Sequence, residues 1–160
     1  MNRPIVYPLT VFYDASCPLC AAEMHALRDL DRHGHIELVD CSAPDFDDEG
    51  LLAEGITRET LMGLIHARDA RGRWLVGIDC FEAAYRAAGL ESAARLWASP
   101  RLRPLWQRVY PWIARHRQVL SRVGLTALLR IMFPKPLRHA EHCDVVLSAA
   151  PANPRGARDP

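Results

Sequence analysis

Two cysteines three positions apart, in Cys17-Pro18-Leu19-Cys20, are the residues of this chain best spaced to do chemistry together. Such a pair can cycle between dithiol and disulfide. A thiolate attacks a substrate disulfide, and a second thiol displaces the product from the mixed disulfide. Chain order gives the attack to Cys17 and the resolution to Cys20, and Pro18 and Leu19 add no charge between them. Asp14 lies three residues before Cys17. Three roles are open to it: raising the thiol pKa by its charge, taking a proton from Cys20 during resolution, or capping the following helix. Two other readings of the pair stay open. A C-x-x-C can be half of a zinc site, completed from Cys41, Cys80, Cys143, His139 or His142. It can also be an idle pair of core cysteines.

The elements around the pair favour redox chemistry. Residues 5–13 are β-branched and aromatic and predict a buried strand that begins after Pro8. Asp14-Ala15-Ser16 breaks the run, and a helical pattern follows from Pro18 to about His33. Proline suits a first helical turn, and Gly34 suits the stop. Cys17 therefore falls at a helix N-terminus, where free N–H groups and the helix dipole favour a thiolate. Cys20, Met24, Leu27 and Leu30 share one side of this helix. Residues 35–41 read as a second strand, and the crossover makes the two strands parallel.

Further along, Pro44 and the acids from Asp45 to Glu49 predict a solvated loop with one short helix. Thr57 and Thr60 open a short helix over 57–62. Leu64–Arg68 and Trp74–Ile78 form a hairpin around Gly72. Asp79 is the expected N-cap of a helix that runs to about Ala88 and stops at Gly89. The order β-α-β-α-β-β-α is that of an α/β thioredoxin-like fold over residues 1–90. Residues 91–143 read as a helical, basic extension on or beside that core, and 144–160 as a tail without order. In the extension, Arg101, Arg108, Arg115 and Arg122 recur every seven residues as one basic stripe. Leu105, Val109, Ile113, Leu120 and Val123 mark a separate apolar face, and Pro111 is expected to start, kink or break the helix. A second apolar stretch runs from Leu125 to Phe133.

Charge is divided along the chain. Residues 1–91 hold 16 acids against 8 arginines, whereas residues 92–140 hold 10 basic residues and no acid. The basic part is expected to meet the acidic core, an anionic membrane surface or an acidic protein. Nucleic acid is not expected, because no recognised binding motif accompanies the charge. Five scattered cysteines do not make a secreted disulfide framework. No cleavable leader and no long apolar span is evident, so the expectation is a reducing cytoplasm, peripheral to a membrane if the basic face binds one. Cys41 and Cys80 read as small core residues, with the reservation that a helix start could activate Cys80. Cys143 is a free thiol or a tail partner for Cys17. No phosphate loop, nucleophile elbow or dinucleotide fingerprint is present, so no cofactor is expected.

The stretch Tyr13-Asp14-Ala15-Ser16-Cys17-Pro18-Leu19-Cys20 resembles the signature of the DCC family, named for its aspartate and two cysteines. The run from Ile65 to Gly77, the helix from Asp79 and the basic, aromatic segment from Tyr110 to Ser121 are similar to that family's later elements. The resemblance covers residues 9–123. It implies a thioredoxin-like fold, thiol–disulfide oxidoreductase activity on a protein or small-molecule thiol or disulfide, and an active site of Asp14, Cys17 and Cys20. One departure from thioredoxins proper is visible. They carry a proline before the third strand, opposite the cysteines, and no proline occurs here between Pro44 and Pro100.

Overall fold

The first strand, β1 (Leu9–Tyr13), is largely apolar on both faces because it lies inside a four-stranded sheet. The computed structural model describes residues 4–122. His139, His142, Cys143, the apolar stretch 125–133 and the tail 144–160 lie outside the described residues. The other elements are α1 (Pro18–Leu30), β2 (Ile36–Asp40), α2 (Glu49–Leu52), α3 (Arg58–Gly63), β3 (His66–Asp69), β4 (Trp74–Val76), α4 (Ile78–Ala87), α5 (Glu91–Ala98) and α6 (Arg103–Arg122). β1 pairs parallel with β2, Val11 opposite Leu38, and antiparallel with β3, Val11 opposite Ala67. β3 pairs antiparallel with β4. This mixed sheet with its helices is a thioredoxin-like fold.

Alternation along β1 divides the core in two. Leu9, Val11 and Tyr13 face a cluster containing Met24 and Leu27 of α1 and Cys80, Ala83, Ala84 and Tyr85 of α4. Phe12 faces the other way, onto Cys41 and Leu61 of α3. Leu9, Met24, Leu27 and Leu61 are fully buried, and each such side chain contributes roughly 1.5–3 kcal/mol.

Local chemistry explains most element ends. Thr57 and Thr60 form a reciprocal capping box at the start of α3. α1 ends at Leu30, three residues before the expected limit. The Asp31 carboxylate accepts from the N–H groups of His33 (3.1 Å) and Ile36 (2.7 Å), which turns the chain into β2. β3 and β4 are each shorter than the runs expected for them.

Three expectations need correction. Asp79 is not the N-cap of α4: Gly77 is, with no side-chain cap, and Asp79 sits in the first turn, where it pairs with Arg103 at 2.7 Å. Pro111 does not end its helix, since α6 runs through it. Both Pro111 and Gln107, whose carbonyl loses the proline's N–H, are exposed, so water can take the bond. The expected apolar face of α6 turns inward only in part, since Ile113 lines the space beneath the helix. Leu105 is 52% exposed, whereas Ala114 is buried and Tyr110 packs on the main core cluster.

α5 and α6 dock through rings. Phe81 of α4 stacks on Trp97 of α5 at 5.1 Å and meets Tyr110 of α6 edge-on at 5.3 Å, and Trp97 contacts Trp106 at 4.9 Å. Gly77 holds a positive φ of 60°, and a Cβ there would lie 3.2 Å from the Tyr110 ring. A glycine is thus required both by backbone conformation and by the ring above it. The Tyr110 hydroxyl accepts from the Ile65 N–H at 3.0 Å, which ties the middle of α6 to the start of β3.

Candidate active site

The cysteine pair occupies the turn from β1 into α1. Cys17 is itself the N-cap of α1, and its sulfur accepts from the Cys20 N–H at 3.3 Å. Asp14 therefore does not cap this helix. The Cys20 thiol donates to the Cys17 sulfur at 2.7 Å. That S–H bond is the main reason the Cys17 pKa falls to about 6; burial opposes it, and the Cys20 N–H, the Arg117 charge and the Leu19 N–H assist it. Cys20 moves the opposite way, far above the ordinary thiol range, because it is the donor in the same bond and is itself desolvated. The asymmetry makes Cys17 the thiolate and Cys20 the proton-holding thiol. Cys17 is also fully buried, whereas Cys20 is partly exposed.

Asp14 is 5% exposed, and both its oxygens are engaged. One accepts from the Ser16 N–H at 3.0 Å and the Ser16 hydroxyl at 2.5 Å. The other accepts from Arg117 at 2.7 Å. The same Arg117 nitrogen donates to the Met62 carbonyl at 2.6 Å. Behind this group, Asp40 accepts from the Ala15 N–H at 3.1 Å and from the N–H and hydroxyl of Ser42. Burial works against its charge, but these hydrogen bonds hold its pKa below the usual carboxylate range. The loop before Cys17 is thereby fixed to the end of β2.

Arg117 is the residue that the heptad reading of the sequence missed. It lies off the stripe of Arg108 and Arg115, which is exposed, and on the inward face with Tyr110 and Ala114. Spacing of three and seven from Ala114 and Tyr110 was the available signal: a cation at an interior helix position needs an anion. Arg101 precedes α6, and Arg122 is its last residue.

Tyr13, Asp14, Cys20, Glu23, Tyr110 and Arg117 line a cavity of about 80 Å³ beneath α6, closed by apolar groups that include Leu61 and Phe81. Cys41 and Cys80 are both fully buried away from it. Burial pushes the Cys41 thiol up to about 12, with the Asp40 charge adding to the effect. It pushes Cys80 higher still, so its place in the first turn of α4 does not activate it. Among the described residues, no group of three or more histidine, cysteine, aspartate or glutamate side chains is arranged to hold a metal.

The sequence is 31% identical over 129 residues to an uncharacterised chloroplastic protein of Arabidopsis thaliana. That match covers 79% of this chain but 59% of the relative's length. No solved structure shows significant similarity to the chain. The DCC1-like thiol-disulfide oxidoreductase family matches residues 11–123, from β1 to just past α6 and including the whole cysteine turn. The chain belongs to the DCC1-like thiol-disulfide oxidoreductase family.

Proposed function

We propose that this chain exchanges disulfides with a protein or small-molecule partner, Cys17 attacking and Cys20 resolving. The observation that carries this reading is the 2.7 Å hydrogen bond from the Cys20 thiol to the Cys17 sulfur at the start of α1. It creates one nucleophile and one protonated partner within bonding reach of each other. In the forward cycle the Cys17 thiolate attacks one sulfur of a substrate disulfide, and the other sulfur leaves as a thiolate. Cys20 then gives up its proton and attacks Cys17. The active-site disulfide forms, and the substrate leaves carrying two electrons more than it brought. Asp14 and Arg117 act as positioning residues, which hold the loop and add positive charge near the thiolate.

Because Cys17 has no exposed surface, a substrate must displace part of its cover before attack. We assign the chain to a reducing compartment, where a dithiol of this kind stays available.

The test is a redox titration of the pair against glutathione or dithiothreitol, read by thiol trapping. A reversible two-electron transition is expected, lost in Cys17→Ser and in Cys20→Ser. A pair that stays reduced across the accessible range would sink the reading.

A second activity is favoured by the outer face of α6. Leu105, Trp112 and Val119 repeat every seven residues and are 52%, 56% and 58% exposed. Exposed Arg108 and Arg115 flank them, and Arg101 is exposed just before the helix. An apolar stripe beside a cationic one suits an anionic lipid surface. We propose that α6 lies against such a surface while its inner face carries Arg117. Flotation with phosphatidylserine vesicles at low salt is expected to carry the protein upward, and phosphatidylcholine vesicles are not. Equal recovery without vesicles would remove this second activity and leave the first intact.

A further inference from the structure

We infer that Glu23 is the proton acceptor for Cys20 in the resolving step, reached across water held in the cavity beneath α6. The inference rests on the exchange reading above and supplies a part that reading lacks. In the mixed disulfide the Cys17 thiolate is gone, but burial and the nearby Glu23 still favour the protonated Cys20 thiol, which must lose its proton to attack. Asp14 is poorly disposed to take it, since Ser16 occupies one of its oxygens and Arg117 the other.

Glu23 lies three residues after Cys20 on α1, so the two side chains project from neighbouring positions on one helix face. Both line the same cavity, whose volume of about 80 Å³ has room for more than one water. One Glu23 oxygen accepts from the Tyr85 hydroxyl at 2.7 Å, and the other has no hydrogen-bond partner among the described residues. The carboxylate is therefore oriented by α4 while half of it stays open to accept a proton.

Electrostatics act in the same direction. Burial raises the Glu23 pKa, opposed only by the Tyr85 hydrogen bond, which brings the group closer to the pH at which a base must work. Glu23 and an ionised Cys20 also repel each other, so the pair shares one proton more easily than none. The other titratable groups around Glu23 and the cavity do not compete. Tyr85 and Cys80 of α4 and Tyr110 of α6 all have pKa values raised by burial, Tyr13 is raised likewise, and Arg117 is a donor only.

In the mixed disulfide, Cys17 is bonded to the substrate sulfur. The Cys20 proton passes through water to the Glu23 carboxylate. The Cys20 sulfur bonds to the Cys17 sulfur, the bond from Cys17 to substrate breaks, and its electron pair leaves on the substrate thiolate. Glu23 then returns the proton to solvent or to that thiolate.

A symmetrical aromatic disulfide, dithiobis(nitrobenzoate), separates the two steps under single turnover. The first coloured thiolate reports attack by Cys17, and the second reports resolution by Cys20. Glu23→Gln keeps the shape and an acceptor for Tyr85. It is expected to leave the first phase unchanged and to slow the second by about 10²-fold, the usual range for a lost general base. Glu23→Asp should restore part of the rate. Tyr85→Phe keeps the carboxylate, removes its donor and should move the pH midpoint of the second phase upward, a shift that loss of packing alone would not produce. A second phase in Glu23→Gln matching wild type across pH would overturn the inference while leaving the exchange reading intact. Absence of the first phase in the wild type would overturn both.

Discussion

Arg117 reaches across 103 residues to place its guanidinium 2.7 Å from the Asp14 carboxylate, three residues before Cys17. This ion pair joins the end of the chain's longest described helix to the loop that sets the cysteine turn. It is almost dry, with side chains 16% and 4% exposed. The thioredoxin-like core therefore does not complete the proposed site by itself, because α6 supplies the cation.

Removing that cation should have two separable effects. Arg117→Met leaves the buried Asp14 unpaired, which is expected to cost about 3 kcal/mol, the lower end of the range for a buried pair broken on one side. Urea denaturation measures it. The double variant Asp14→Asn with Arg117→Met should recover part of the loss. In either background the Cys17 thiolate should titrate higher than in the wild type. A stability loss equal to that of a surface substitution would mean the pair is not the anchor described.

The Cys20 thiol is the largest contributor to the low Cys17 pKa. Thiolate ultraviolet absorbance of the reduced protein is expected to titrate near 6. In Cys20→Ala the midpoint should rise by about one to two pH units, the equivalent of one hydrogen bond to a charged group. An unmoved midpoint would assign the effect to the helix terminus instead.

The same shift predicts a pH dependence of stability. Folding lowers the Cys17 pKa from its ordinary 9.0 to about 6, so the unfolded chain holds the proton to higher pH than the folded one. The resulting stabilisation is fully present above 9.0 and is lost as pH falls through about 6. The stability difference between reduced wild type and Cys17→Ser should shrink over that window. Denaturant titrations at several pH values give the comparison, and a difference that grows toward acid would reverse the assignment.

Docking of α6 depends on Tyr110. Tyr110→Phe removes the acceptor of the Ile65 N–H, at an expected cost of about 1 kcal/mol. Gly77→Ala should cost more, because it combines a positive φ with a 3.2 Å contact to the same ring. Thermal denaturation ranks the two. Limited proteolysis should show faster cleavage between α5 and α6 in Gly77→Ala. The reverse order would mean the ring yields easily and the hydroxyl is the main tie.

Much of this arrangement is written locally in the sequence. A β-branched run, a cysteine, a proline and a helical repeat set β1, the turn and α1, because each depends on residues within one or two turns of itself. The Thr57–Thr60 capping box is legible for the same reason. The order of elements and the hairpin follow from glycine positions and from alternation. The tertiary structure alone decided which face of α6 turns inward. Periodicity offers several faces, and the choice depends on what Phe81, Trp97 and Gly77 leave open beneath the helix. It also decided that Arg117 meets Asp14 and that Tyr85 meets Glu23 across 62 residues. Such contacts follow from how elements dock, and docking is a property of whole surfaces that no short stretch of sequence carries.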